Sequence, residues 1–399
     1  MTNNSNYQVL VYAPFETGHH GNFAKLIASA VSMPGVDACF ACPSVVEQLV
    51  DGEMKKEGRP SPEFLRIESL LKLPPTKRLK RQMADIYKLS RQKRWDRILI
   101  PSADGLLQAA GGLHVAGIEL FPKSVPVEAL SLRGGVAYPG DFKTKVRRTI
   151  SWRVAEAAPI AVRYHLDPVF VAWHRNRKRQ EEWNLMPDPI ERLERISKED
   201  ARRRLGLPTD VKLFGTIGIL DERKGVDHLI EAFSAGEWDR DTHMLLAGEC
   251  GESIRRMLPG APARVHVFDQ WLSDDTLASC IGAMDLVTAV YPNHVGSSSV
   301  VLRAMAAGRP VLGSETPWME AHLQKFGGGW ICSQNDSGYL GEQIREAIEM
   351  SVDWKPSKES FALINFNSPR NFIANWQRNT ADDIGFDVQN LPVTPPRFF

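Results

Sequence analysis

Long apolar runs are missing from this chain of 399 residues. Nothing approaches the roughly 18 consecutive apolar residues of a membrane-spanning helix, so no such span is expected. Cysteine is scarce too, and five in this length cannot frame a disulfide-stapled domain. Cys39 and Cys42 do form a Cys-x-x-Cys. That redox motif opens a helix, whereas Val36–Cys42 reads as a strand running into Pro43, so buried packing is expected. A secretory leader is not seen, because the first seven residues are polar and uncharged. Internal repeats and low-complexity segments are absent as well. Net charge is nearly absent at +1, and no recognition module accompanies the basic residues, so a nucleic-acid binder is not expected.

What remains is an ordinary globular composition, 43% hydrophobic and 24% charged, long enough for two domains. The near-neutral total hides an asymmetry. Through Pro187 there are 27 Lys and Arg against 18 Asp and Glu, and beyond it 22 against 30. A basic first half suits an anionic partner, such as a membrane surface or an acidic substrate. The basic segment 77–94 holds eight Lys and Arg, with Leu79, Met83, Ile86 and Tyr87 toward one helical face. It reads either as attachment to anionic lipid headgroups or as a core-facing helix with a solvated basic side. The expected compartment is the cytoplasm, with a peripheral place at the inner membrane face left open.

Strands alternate with helical stretches in both halves, the pattern of parallel sheets covered on both faces. In the first half Gln8–Ala13, Val36–Ala41, Arg97–Ile100, Val125–Leu130 and Ile160–Arg163 read as strands. A loop with Gly18, His19, His20 and Gly21 precedes a helix from about Asn22. Asn184–Ile190 carries two prolines and reads as a linker. The alternation then restarts: Lys212–Gly218, His243–Ala247, Val265–Phe268, Leu286–Val290 and Pro310–Leu312 read as strands. Helices are expected over Lys198–Leu205, Val226–Ala235, Asp274–Gly282 and about Ser298–Ala307. Ser273 and Gly308 sit where a cap and a helix stop belong.

Tyr291–Pro310 is the most informative stretch. It reads as a strand end, a tight Gly-Ser loop and a helix start with unpaired backbone N–H groups, a natural anion site. About seventy residues upstream, Asp221–Gly225 puts Lys224 in a second loop after a strand. A cation at a helix start opposes the helix dipole, so an anionic partner explains Lys224 better than solvent does. Two such features at strand ends point to a diphosphate ligand, most economically a nucleotide-sugar.

The second half resembles the donor domain of GT-B glycosyltransferases, in particular glycosyltransferase family 4 (group 1). The similarity rests on Gly218-Ile-Leu followed by Arg223-Lys-Gly-Val-Asp-His-Leu-Ile-Glu-Ala232, and on Arg303-Ala-Met-Ala-Ala-Gly-Arg-Pro-Val311. It extends over roughly Leu185–Gln377, and in the first half over Gln8–Ala30. The resemblance implies an α/β GT-B protein with two doubly wound Rossmann-like domains facing a cleft. It implies an acceptor-side domain at 1–187, a nucleotide-sugar domain at 188–367, and a closing helix and tail at 368–399 that pack back on the first. Lys224 would neutralise the donor diphosphate, with Gly218 and Arg223 beside it. Gly296 and Ser297, Ser298 and Ser299 would cradle the distal phosphate, Trp271 and Leu272 would hold the base, and Gly18 would lie under the phosphates.

The motif diverges where the family carries two glutamates eight positions apart. Val295 and Arg303 stand there. Guanidinium is donor-only and cannot accept from ribose hydroxyls, so Arg303 is expected to add a phosphate contact or pair with a carboxylate. Ile219 stands where the family has a phosphate arginine. His294 is a candidate replacement for the missing sugar contact, and His19 or His20 a candidate for the donor or acceptor. Asp104 is read either as an acceptor-facing group or as a helix N-cap. Together His19, Asp104 and His294 are the candidate catalytic residues.

No cofactor is expected beyond the nucleotide-diphosphate sugar as donor, and no metal. Asp239-Arg-Asp241 is read as a turn. The implied activity is retaining, metal-independent hexosyl transfer to a hydroxyl of a glycan or lipid-linked acceptor in polysaccharide or glycoconjugate synthesis. The alternative is a non-catalytic GT-B scaffold of a glycan-assembly complex.

Overall fold

The structure is a computed structural model that describes residues 6–16, 19–177, 183–191, 196–333, 337–387 and 394–398. Two compact units divide the chain: Met1–Pro189 with Pro369–Thr394, and Ile190–Ser368 with Pro395–Phe399.

In the first unit strands and helices alternate as β1 (Tyr7–Tyr12), α1 (His19–Val31), β2 (Val36–Cys42), α2 (Ser44–Lys56), β3 (Glu63–Arg66) and α3 (Pro75–Leu89). The series continues with β4 (Arg97–Ile100), α4 (Leu106–Val115), β5 (Val127–Ser131), α5 (Phe142–Glu156), β6 (Val162–His165), α6 (Pro168–Arg175) and β7 (Trp183–Leu185). The seven strands are parallel in the order β3-β2-β1-β4-β5-β6-β7. Central strands of such a sheet are buried on both faces, which is why β1 and β4 read as continuous apolar runs. One core lies on each face. Leu10, Ile98 and Ala129 point into one, and Val9, Val11 and Leu99 into the other. Cys39 joins the first core and Cys42 the second, so the two thiols lie on opposite sides of the sheet. Burial pushes both thiols up to about 12, and both are free.

The second unit runs α7 (Lys198–Leu205), β8 (Lys212–Ile217), α8 (Val226–Ala235), β9 (Thr242–Ala247), α9 (Glu252–Met257) and β10 (Val265–Phe268). It continues α10 (Asp274–Ala283), β11 (Leu286–Ala289), α11 (Ser299–Ala306), β12 (Val311–Ser314), α12 (Pro317–Leu323), β13 (Gly329–Cys332), α13 (Ser337–Ser351) and α14 (Lys358–Phe366). Its six strands are parallel in the order β10-β9-β8-β11-β12-β13. Ser273 caps α10 by accepting the Thr276 amide, and Gly308 stops α11 at φ +71°.

The last helix, α15 (Pro369–Ile384), returns to the first unit. Phe372 and Trp376 enter the core with Val9, Phe23 and Tyr164, and the Phe23 and Phe372 rings stack at 5.0 Å. Below them, buried Arg97 binds Glu128 of β5 and Asp383 of α15, and Tyr7 also donates to Asp383.

Three sequence expectations change. The stretch from Asn184 is not wholly a linker, because β7 pairs with β6 through Leu185. The helix within 77–94 stops at Leu89, where Ser90 ends it and Trp95 donates its indole N–H back to the Leu89 carbonyl. Tyr87, expected on its inner face, is exposed and lies under the Arg91 guanidinium at 3.9 Å.

Candidate functional site

The order of the second sheet reverses between β8 and β11. Open parallel sheets bind ligands beyond the carboxyl ends of their strands at such a reversal, where neighbouring loops diverge and leave a crevice. The loops leaving β8 and β11 are the two singled out in the sequence.

Gly218 follows β8 at φ +97°, a conformation that L side chains rarely adopt. A Cβ there would lie 2.6 Å from Lys224 Nζ and 3.9 Å from Val300 Cγ2, so the lysine and the first turn of α11 border the same glycine. The turn carrying Lys224 is itself seated on the end of β11. A Cβ on Gly225, at φ +63°, would lie 2.2 Å from the Val290 carbonyl oxygen. Asp221 holds this turn by accepting the Lys224 amide at 3.1 Å, and pairs with exposed Arg223 at 3.5 Å. Lys224 Nζ donates to the Ile217 carbonyl at 3.0 Å and lies 5.9 Å from the Tyr291 ring. Burial, aided by the nearby Arg223 charge, lowers its pKa to about 8. A cation held at that cost gains from an anionic ligand.

The loop after β11 is bent by Asn293 at φ 53° and Gly296 at φ +91°. Asn293 is the one non-glycine with positive φ among the described residues. Ser298 stands at the N-cap of α11 but its side chain does not cap the helix; Oγ lies 3.5 Å from the Tyr291 hydroxyl instead. Ser298 therefore gives the first-turn amides of α11 no side-chain acceptor, and the helix dipole adds to their attraction for an anion. His294 stands 5.2 Å from the Tyr291 ring and 6.0 Å from Trp318. Burial lowers its pKa to about 4, so the ring is neutral at pH 7 and can hydrogen-bond a hydroxyl. Its Nε2 has no partner among the described residues.

Gly218, Lys224, His294, Gly296, Ser298 and Ser299 are thus brought to one end of the β8–β11 boundary. Ser297 and Gly296 carry further interactions of their own. Arg303, one turn along α11, pairs with exposed Asp274 at 4.0 Å. Trp271 is 74% exposed in the loop after β10, with Leu272 half-buried beside it. Asp269 fixes the start of that loop by accepting the Cys250 amide at 2.9 Å and binding Arg255, which holds its carboxyl down at about 2.

Sequence reasoning passed over two members of this site. Tyr291 links Lys224 to Ser298, and burial pushes its phenol up to about 12. Gly248, at φ +138°, lies so close to Gly218 that a Cβ would sit 1.9 Å from the Gly218 carbonyl oxygen. The glycine that closes β9 was the available signal.

The first sheet reverses between β1 and β4, and the candidates there gather less completely. His19 opens α1 rather than lying in a loop, because its ring stacks on Phe23 one turn ahead at 5.9 Å and extends the helix backward. His20 is half-buried against Phe15 at 5.1 Å, and burial lowers its pKa to about 4. Asp104 is not a helix cap. Gly105 takes that position at φ +78°, and Asp104 accepts Ser131 Oγ at 2.6 Å and the Leu132 amide at 3.0 Å, tying the β4 loop to the end of β5. Exposed Arg133, next along, acts electrostatically on both His20 and Asp104 and was not anticipated. Gly18 lies outside the described residues.

Asp239–Asp241 is a turn, in which the Thr242 amide donates to the Asp239 carbonyl. Among the described residues no three His, Cys, Asp or Glu side chains are grouped to hold a metal. No described helix is long and apolar enough to cross a membrane.

Residues 211–350, which contain both loops, match the family described as "Glycosyl transferases group 1". No curated protein matches the sequence. Among solved structures, the sucrose-phosphate synthase of Thermosynechococcus elongatus aligns with a TM-score of 0.67 at 16% identity, over 95% of this chain and 99% of that one. HepE of Anabaena, solved with UDP and glucose, aligns at 0.61 and 14% identity over the same shares. An α,α-trehalose-phosphate synthase (UDP-forming) of Burkholderia vietnamiensis aligns at 0.62 and 12% identity, again over 95% and 99%. At these identities the likeness is one of fold, and the fold is GT-B, with two Rossmann-like domains.

Proposed function

Starting from a GT-B fold whose second unit matches group 1 glycosyl transferases, we propose that the chain moves a sugar from a nucleotide-diphosphate sugar to an acceptor hydroxyl. The observation that carries this reading is the meeting of Lys224 Nζ, Gly218 and the uncapped start of α11 at the β8–β11 reversal. In the reaction the acceptor oxygen forms a bond to the anomeric carbon as the bond from that carbon to the diphosphate oxygen breaks. Negative charge grows on the departing diphosphate, where Lys224 and the α11 amides are already oriented to receive it. Preorganised charge of this kind supplies a large share of many rate enhancements. The acceptor proton passes to a diphosphate oxygen, so the reading needs no separate protein base and no metal. Neutral His294 donates to or accepts from a sugar hydroxyl, in place of the family's glutamate. Trp271 offers its exposed face to the base.

HepE was solved with UDP-glucose, which makes a UDP-hexose the first donor to try. Retention of anomeric configuration, and a role in polysaccharide or glycoconjugate synthesis at the cytoplasmic membrane face, belong to the same proposal. Thermal-shift screening against UDP-, GDP-, ADP- and dTDP-sugars, followed by assay of donor hydrolysis, tests it. Stabilisation by one nucleotide with slow hydrolysis of its sugar is the expected result, and silence across all four would sink the proposal. The valine and arginine at 295 and 303 favour one second reading, a non-catalytic GT-B scaffold. Tight diphosphate binding with no turnover on any donor would select it.

A further inference from the structure

Helix α5 is the most unusual surface of the first unit. Trp152 and Ala155 bury its inner side against the core that holds Phe170 and Trp183, and Gly111 of α4 crosses close to its Val154 carbonyl. On the outer side Phe142, Val146 and Ile150 are 81%, 41% and 59% exposed. Four-residue spacing puts them in one stripe, and a helix docked by its other face turns that stripe to solvent. Large apolar side chains in a row on a water-exposed helix mark an interaction surface rather than the scattered exposure normal to soluble proteins.

The charges around the stripe name the partner. The helix carries Lys143, Lys145, Arg147, Arg148 and Arg153, and its only acid is buried Glu156. Arg148 is used internally, donating to the Gly135 and Pro139 carbonyls, and Arg147 lies near the N-cap Asp141. The side chains of Lys143, Lys145 and Arg153 are exposed and have no hydrogen-bond or ion-pair partner among the described residues. An apolar stripe flanked by free cations matches the boundary of an anionic bilayer, where the apolar groups enter the acyl region and the cations meet headgroup phosphates.

Helix α3, the basic segment the sequence points to, is built differently. Ile86 and Leu89 are buried, and two of its five cations are engaged: Arg81 with Asp85 and Glu68, and Arg78 with the Leu71 and Leu73 carbonyls. It offers charge without an insertable face.

We propose that the first unit docks on anionic lipid membranes through α5, with Phe142, Val146 and Ile150 inserted and Lys143, Lys145 and Arg153 on headgroup phosphates. The surface is remote in sequence from the Lys224 site and needs no donor, so it stands or falls apart from the glycosyl-transfer reading. The test is flotation of the full chain with phosphatidylcholine vesicles and with vesicles of seven parts phosphatidylcholine to three parts phosphatidylglycerol. Binding to the anionic vesicles is expected, with Phe142→Ser/Ile150→Ser weakening it at least tenfold and Lys77→Ser/Lys80→Ser weakening it less than threefold. All four substituted side chains are on exposed or surface positions, and unchanged circular dichroism checks that each variant folds. Absence of binding, equal binding to neutral vesicles, or undiminished binding by the α5 variant overturns the proposal. So does a dimer in sedimentation that Phe142→Ser/Ile150→Ser dissociates without any vesicle binding, since the stripe would then belong to a second copy of the chain.

Discussion

The two sheets reverse direction at the same place in their strand order, yet the loops beyond the two reversals are built unlike each other. In the second unit backbone geometry makes the site. Gly218, Gly225, Gly248 and Gly296 all hold positive φ, and the Lys224 turn is seated on the end of β11. In the first unit the candidates at the reversal are side chains, and Gly105 after β4 is the one positive-φ glycine among the described residues of the two loops. Asp104 is spent on Ser131 and Leu132, His19 rests on Phe23, and the Arg133 charge acts on both His20 and Asp104. A diphosphate looks the same in every nucleotide-sugar and can be met by amides and one cation. An acceptor has no such common part, and under the proposed function a surface that meets one needs no backbone template.

This contrast can be broken experimentally, and the largest effect is expected at Lys224. Lys224→Ala should weaken binding of a matching nucleoside diphosphate by roughly a hundredfold, about 3 kcal/mol, by removing a charge-assisted contact from a half-buried site. Calorimetry reads it directly, and a change under threefold would mean that the diphosphate lies elsewhere. Gly218→Ala should follow. The new methyl would meet Lys224 Nζ and strain the backbone by roughly 1–2 kcal/mol, weakening diphosphate binding about tenfold with only a modest drop in Tm.

Asp104→Ala sharpens the comparison from the other side. It leaves the Ser131 hydroxyl and the Leu132 amide without their acceptor, which should cost about 1.5 kcal/mol of stability in urea unfolding. Diphosphate affinity should stay within about twofold, and a selective loss of affinity instead would assign Asp104 to the donor.

A gentler probe is pH. Because the Lys224 pKa is lowered to about 8, the free site loses its cation as pH rises through that value, whereas a bound diphosphate keeps the lysine protonated. Affinity should therefore fall about tenfold between pH 7 and pH 9, a dependence that Lys224→Arg abolishes. The same shift gives the stability sign. The unfolded chain binds more protons at this position between about pH 8 and the ordinary lysine value, so ligand-free stability rises across that window and the penalty is complete below it.

Much of the architecture was legible because the central strands are apolar on both faces and the helices of the second unit carry standard caps and stops. The three strands that went unread are β3, β7 and β13, all sheet edges. Edge strands are short and half-solvated, so Glu63-Phe-Leu-Arg66 and Trp183-Asn-Leu185 never form a continuous apolar run. The sequence singles out the β8 and β11 loops, which the proposed function gives to the donor, because glycine, lysine and small polar residues are what close backbone approach to phosphate demands. The cap reading of Asp104 failed because an aspartate before a helix looks alike whether it caps that helix or reaches across to the next strand. The α5 stripe was missed because its inner side also carries apolar residues, and the sequence cannot say which side docks.

The return of α15 to the first unit has a consequence for synthesis on the ribosome. Phe372 and Trp376 complete a core that begins at Val9, and Asp383 answers the charge of Arg97. The half of the polypeptide made first must therefore wait, its hydrophobic seam open, until α15 has been translated. During that interval the nascent chain is a natural client for chaperones, and severing the message before codon 369 should leave the opening half prone to aggregate.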